Sequence, residues 1–329
     1  MERTVSSLEN MERLEPLRVL VTGGAGFIGA HLVELLVRKK YDVTVIDIQN
    51  PCKSYFFLKS LDKKTNYQII DITKREKVEA VFASVSPTYV IHLAALPIVQ
   101  EAYDNPYDVF KTNIMGTVHV LEACRRTAGI QGILVASSDK AYGKTTKPYT
   151  EESPLKGDHP YDVSKSCTDL IAQTYGKTYG LPVIVTRFGN VFGEGDIHFD
   201  RIIPGICKAL ITNSVLEVRS DGTYIRDYVY VKDIALATAF LIRHMKRTAG
   251  QAFNISSDNN FSVLDLIKNT EKILKKHIHY TILNSAKSEI PYQHLNDNKI
   301  RALGWKNTHS LRRGLQQTYV WYKKTQSYR

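Results

Sequence analysis

At 329 residues, with 43% hydrophobic and 23% charged residues, the chain has the size and balance of one large globular domain or two closely joined ones. Its formal charge is +11, but Lys and Arg occur as scattered pairs such as Lys39-Lys40, Lys63-Lys64 and Lys323-Lys324. Without an arginine-rich run or zinc-finger spacing, this argues against a nucleic-acid partner and for weak steering of an anionic small substrate.

Residues 1–17 are rich in Glu, Ser and Arg and lack an apolar core, so a flexible leader is expected, not a signal peptide. No apolar stretch reaches the ~18–20 residues of a membrane span. The four cysteines (Cys52, Cys124, Cys167, Cys207) are far apart and have no metal-ligand spacing. A reduced, cytoplasmic protein without a metal site is expected.

The periodicity then predicts strands at 18–21, 42–46, 67–70, 89–93, 132–136 and 182–187. Helices are predicted between them at 27–37, 75–84, 106–127 and 161–179. Short apolar strands alternating with helices imply an α/β fold, a doubly wound parallel sheet. After Arg187 the rhythm loosens, with strands at 215–218 and 252–255 and helices at 231–246, 262–275 and 311–323. A dinucleotide-binding domain is therefore expected over 18–187, with 228–245 returning to it. Segments 188–227 and 246–329 are expected to form a smaller C-terminal α/β substrate lobe.

Gly23, Gly26 and Gly29 follow the first strand and open the first helix, whose N-terminal Phe27 and Ile28 would face an anion. The second strand ends in an acid, Asp47. That context is the one a dinucleotide fingerprint requires. Asp47 would accept hydrogen bonds from the adenosine ribose and repel a 2′-phosphate. Ile48, Gln49 and Asn50 supply no cation to offset that repulsion, so NAD is favoured over NADP. Asp71 and Ile72 are candidates to flank the adenine, and an ordinary turn fits Asp71 equally well.

Tyr161 and Lys165, at i and i+4, share one helix face. The Lys165 ammonium is expected to lower the Tyr161 pKa, so that tyrosinate takes a proton from a sugar hydroxyl. Upstream, a strand ends in Ser137 and the triplet Ser138-Asp139-Lys140. His92 and His159 are read as structural or surface residues.

With these motifs the chain resembles the extended short-chain dehydrogenase/reductase family, and in it the nucleotide-sugar epimerase and dehydratase group, over nearly all of 18–322. His92-Leu93-Ala94-Ala95, Asn113-Ile114-Met115-Gly116-Thr117, Arg187-Phe188-Gly189-Asn190 and Arg226-Asp227 strengthen the resemblance. It implies that Ser138 bonds the reacting hydroxyl, Tyr161 is the base at C4 and Lys165 positions the cofactor. It also implies that Leu93, Ala94 and Ala95 pass close to the cofactor and that Asn113 orients the active-site helix. Asn190 and Arg226 would hold the substrate diphosphate, and Asn254 is a weaker candidate.

The triplet decides which reaction the resemblance implies. Hexose 4,6-dehydratases carry Thr-Asp-Glu or a similar triplet here, and epimerases need no such acid and base. Asp139 would be the acid that protonates the departing C6 hydroxyl. Lys140 departs from the dTDP-glucose type, and resembles CDP-glucose and small soluble UDP-N-acetylglucosamine (UDP-GlcNAc) 4,6-dehydratases. It is either a neutral C5 base or a cation beside a base supplied elsewhere. The resemblance implies a lyase that recycles NAD, with UDP-GlcNAc slightly favoured and polysaccharide biosynthesis as its setting. A 4-epimerase is the alternative enzyme, and a non-catalytic NAD-binding regulator the alternative of another class. A homodimer through a four-helix bundle is also implied, with Val118, Leu121, Leu170 and Ile171 compatible. Base and C2 contacts are expected from 196–201 and 290–294.

Overall fold

The computed structural model describes residues 17–50, 52, 54–285 and 289–326. All of the expected leader except Leu17 lies outside the described residues. Twelve strands are described: β1 (Arg18–Thr22), β2 (Asp42–Asp47), β3 (Asn66–Ile69), β4 (Tyr89–His92), β5 (Gly132–Ser138), β6 (Val183–Phe188), β7 (Asn190–Phe192), β8 (Leu216–Val218), β9 (Ile225–Tyr230), β10 (Ala252–Ile255), β11 (Asn260–Ser262) and β12 (Tyr280–Ile282). Seven of them pair in the order β10-β6-β5-β4-β1-β2-β3, each pairing parallel.

A parallel sheet must be covered on both faces, which is why these strands read as continuous apolar runs. In β1, Val19 and Val21 enter one core with the helices Phe27–Arg38 and Val231–Arg243. Leu20 enters the opposite core with Arg75–Val85, Gly116–Arg126 and Pro160–Tyr179. Strand register aligns Val45, Val21, Ile91, Leu134 and Ile184 as one row across five strands, all fully buried. Each such side chain contributes about 1.5–3 kcal/mol by leaving water.

β9 pairs with β7 and β11 in a separate three-stranded sheet, and β8 pairs with β12. β7, β8, β9 and β11 share a third core with the helices Ile202–Thr212, Val263–Leu274 and Leu311–Thr325, around Tyr228, Leu266 and Tyr322.

The structure corrects three expectations. β10, assigned from its position in the chain to the smaller lobe, is the edge strand of the main sheet, because Phe253 and Ile255 complete the core beside β6. The helix predicted over 106–127 is a helix Pro106–Phe110, a π turn Lys111–Met115 and a helix Gly116–Arg126. Leu121 is fully buried in the core and so has no free face for a bundle, whereas Leu170 is exposed and Val118 and Ile171 are half-buried. The helix Ile202–Thr212 is not predicted because Pro204 and Gly205 obscure its apolar spacing, although proline is tolerated in a first turn.

No described helix is long and apolar enough to cross a membrane.

Candidate active site

The strand order reverses at β1, where a doubly wound sheet opens a crevice beyond the carboxyl ends of its strands. The cleft there, of about 1530 Å³, runs from the glycine turn to the three-stranded sheet.

At its first end, Gly23 has φ +70°, and a Cβ there would lie 2.6 Å from the Ala94 nitrogen. A Cβ at Gly29 would lie 2.1 Å from the Gly23 carbonyl oxygen. The chain can make this turn only without side chains at both positions. Gly26 offers no side chain to cap the helix Phe27–Arg38, and Gly26, Phe27 and Ile28 all line the cleft at its positive end. Asp47 accepts hydrogen bonds from the backbone N–H groups of Ala25 (3.0 Å), Ile48 (2.8 Å) and Gln49 (3.2 Å). Burial pushes its carboxyl up, and these donors pull it back. The bare turn, the uncapped helix and the acid at the end of β2 fit a dinucleotide.

Leu93, Ala94 and Ala95 line the same wall, as do Asp71 and Ile72. Asp71 also closes a turn by accepting from Thr73 N at 2.8 Å. Asn113, expected among the cofactor contacts, does not line the cleft. It is buried behind the wall, where its amide donates to Ser164 Oγ (2.9 Å) and accepts from Leu96 N (2.8 Å). Its carbonyl accepts from Thr168 Oγ1 at 2.8 Å, so it clamps the helix Pro160–Tyr179 through the π turn.

That helix carries Tyr161 and Lys165 into the cleft, 8% and 6% exposed. His159 caps it, accepting from Tyr161 N at 3.3 Å. Lys165 Nζ donates to Ala136 O at 2.9 Å, and burial lowers its pKa to about 8. Burial pushes the Tyr161 phenol up; the Ser138 hydroxyl and Arg201 are the groups that pull it back. Lys165, expected to lower it, has its ammonium turned to the Ala136 carbonyl.

Ser138 ends β5 and caps the 3-10 turn Asp139–Tyr142, accepting from Lys140 N at 3.2 Å. Its hydroxyl donates to Asp139 Oδ1 at 3.0 Å. Asp139 is 3% exposed, and burial raises its pKa to about 6 against the opposing effects of Lys140 and Ser138. Its second oxygen accepts from Gln293 Nε2 at 2.9 Å.

The segment carrying Gln293 is held by Asp227, which accepts from His294 Nδ1 (2.9 Å), Leu295 N (2.6 Å), Asn260 Nδ2 (2.7 Å) and Ser256 Oγ (2.7 Å). Segment 290–294 is expected to contact the nucleotide base and the C2 substituent; the structure also ties it to Asp227 and Asp139. Lys140 is half-buried in the cleft wall, and its ammonium makes no hydrogen bond or ion pair among the described residues.

At the far end, Asn190 lines the cleft with its Nδ2 buried and unpartnered among the described residues. Arg226 Nη2 donates to Glu289 Oε2 at 3.2 Å, and Nη1 to Ile225 O at 2.8 Å. Arg219, which the motifs do not single out, lines this end 3.9 Å from Glu289. Asn254 lies outside the cleft wall: it accepts from Tyr142 Oη (2.7 Å) and donates to Tyr149 O and Asn296 O, bracing the 3-10 turn from behind. His92, buried between Thr22 Oγ1 (2.7 Å) and Thr117 Oγ1 (2.9 Å), is structural.

A fold of this class, with a dinucleotide turn and a Ser-Tyr-Lys cleft, agrees with the family comparison. Residues 19–256 match the model of the NAD dependent epimerase/dehydratase family. The chain belongs to that family.

It is 30% identical to a dTDP-D-glucose 4,6-dehydratase of Mus musculus over 93% of this chain and 89% of that protein. In structure it is similar to a UDP-glucose 4-epimerase of Thermotoga maritima (TM-score 0.86, 30% identity, 94% of this chain and 100% of that one). It is also similar to a dTDP-glucose 4,6-dehydratase of Bacillus anthracis in complex with NAD (TM-score 0.82, 28% identity, 95% and 98%). The chain spans about half the length of the Arabidopsis thaliana relatives it also matches, each a trifunctional UDP-glucose 4,6-dehydratase/UDP-4-keto-6-deoxy-D-glucose 3,5-epimerase/UDP-4-keto-L-rhamnose-reductase.

Proposed function

We propose that the chain is an NAD-dependent nucleotide-sugar 4,6-dehydratase, a hydro-lyase that converts a nucleoside-diphosphate hexose into the 4-keto-6-deoxy sugar. The observation that carries this is Asp139, a buried carboxyl with a raised pKa in the cleft wall, hydrogen-bonded to the Ser138 that faces Tyr161.

The glycine turn and Asp47 would hold the cofactor, which when bound supplies redox chemistry at C4 and C6. The chain's own residues move the protons. Ser138 bonds the C4 hydroxyl and Tyr161 takes its proton, while Lys165 is held by Ala136 O where it can orient Tyr161 and a ribose. Asp139, kept protonated by burial below about pH 6, gives its proton to the departing C6 hydroxyl. Arg226 and Asn190 bind the diphosphate, with Arg226 exchanging its Glu289 partner for phosphate.

UDP-GlcNAc is the substrate that the Lys140 pattern favours; the relatives named above support dTDP-glucose or UDP-glucose. A 4-epimerase is the second reading, supported by the Thermotoga likeness. A homodimer is part of the proposal: Tyr107, Met115, Leu170 and Tyr179 are exposed on the helices that would form a bundle. Incubation with UDP-GlcNAc, UDP-glucose, dTDP-glucose and CDP-glucose should give one product lighter by one water. An isomer of unchanged mass contradicts the dehydratase reading.

A further inference from the structure

The cleft wall holds a further buried acid beside Tyr161 that none of the motifs singles out. Asp162 follows Tyr161 on the catalytic helix, lines the cleft and is 3% exposed. Its carboxylate accepts no hydrogen bond and joins no ion pair among the described residues. An unpartnered buried carboxyl is costly, and such groups mark functional sites.

The first turn of the helix is pinned to the Asp139–Tyr142 turn by Ser166 Oγ, which donates to Ala141 O (2.8 Å) and to Asp162 O (3.1 Å). This brings Asp162 under the electrostatic influence of Lys140 and Asp139, and of Asp158 and Lys144 from the following loop. Lys140 acts in turn on Asp139, so one cation serves two carboxyls. The other groups beside Tyr161 are engaged: His159 Nδ1 caps the helix and Lys165 is held by Ala136 O.

We propose that Asp162 is the base that takes the C5 proton, with Lys140 the cation that acts on both it and the acid Asp139. The proposal rests on the dehydratase reading. Asp162 takes the proton from C5 of the 4-keto sugar, and the C5–H electron pair becomes the C5=C6 bond. The C6–O bond breaks, and Asp139 gives its proton to the departing hydroxyl, which leaves as water. Asp139 ends ionised and Asp162 protonated. The proton that Tyr161 took from O4 restores Asp139, and Asp162 returns its own proton to C5 of the saturated product. Burial raises the Asp162 pKa to about 7, a value suited to taking and returning a proton near neutrality.

The test is solvent deuterium exchange at C5 of the nucleotide-linked 4-keto-6-deoxy sugar, followed by NMR in deuterated buffer. C5 is already acidic in this compound, so exchange requires no oxidation step. For Asp162→Asn, exchange should fall at least about a hundredfold, and for Lys140→Met by a smaller factor. Asp162→Glu should recover part of it, which also covers a failure of the Asn variant to fold. Exchange within roughly threefold of wild type in Asp162→Asn overturns the proposal, as does a larger loss in Lys140→Met than in Asp162→Asn. If the wild type neither exchanges C5 nor releases water from any sugar in the panel, the dehydratase reading itself has failed.

Discussion

The two ends of the cleft are built by different means. At the cofactor end the geometry comes from backbone: a turn that excludes Cβ atoms, strand ends, and one acid bonded to three backbone N–H groups. At the catalytic end it comes from side chains recruited over long separations, with Gln293 reaching Asp139 across 154 positions and Asp227 holding His294 and Leu295. Changes at the first end should therefore appear mainly as lost affinity, and changes at the second as lost rate.

The largest expected effect is at the catalytic end. Tyr161→Phe should lower kcat by about 10²–10⁴-fold, the usual value of a positioned base, and isothermal titration should show NAD affinity little changed. Gly29→Ala tests the other end: a Cβ 2.1 Å from the Gly23 oxygen must displace the turn, so NAD affinity should fall by roughly tenfold or more, with a loss of stability of about 1–3 kcal/mol.

Asp227→Asn should leave NAD affinity intact. Loosening the segment that carries Gln293 should lower kcat by roughly tenfold, at a cost of about 1–3 kcal/mol in denaturant unfolding.

The smallest expected effect is a gain. The Asp162 pKa is raised by folding from 3.8 to about 7, so its unfavourable contribution to stability is absent below pH 3.8, grows as pH rises through that window and levels off above it. Asp162→Asn should therefore melt slightly higher than wild type at pH 8, and the difference should vanish near pH 4. An equal difference at both pH values would show that the carboxyl is not protonated by burial.

The same contrast explains what the sequence makes legible. Glycine spacing, strand-terminal Asp47 and the Tyr161/Lys165 pair are local patterns, so their place in the cleft follows from the order of elements. Gln293 and Asp162 have no pattern of their own; only the folded chain shows one against Asp139 and the other unpartnered in the wall. β10 is misassigned for a related reason, since a four-residue strand carries no mark of which sheet it joins. Asn113 matches its motif but braces the helix from behind, a role that spacing alone does not separate from a cofactor contact.

The central claim is that Asp139 converts sugar oxidation into dehydration, and product mass from wild type and Asp139→Asn tests it most directly. With the sugar that the wild type accepts, the wild-type product should be lighter than substrate by one water between about pH 6 and 7, and its formation should slow above that window as Asp139 is left ionised. Asp139→Asn should release that product at least about a hundredfold more slowly. Dehydration by Asp139→Asn at the wild-type rate, or a wild-type product of unchanged mass, would contradict it.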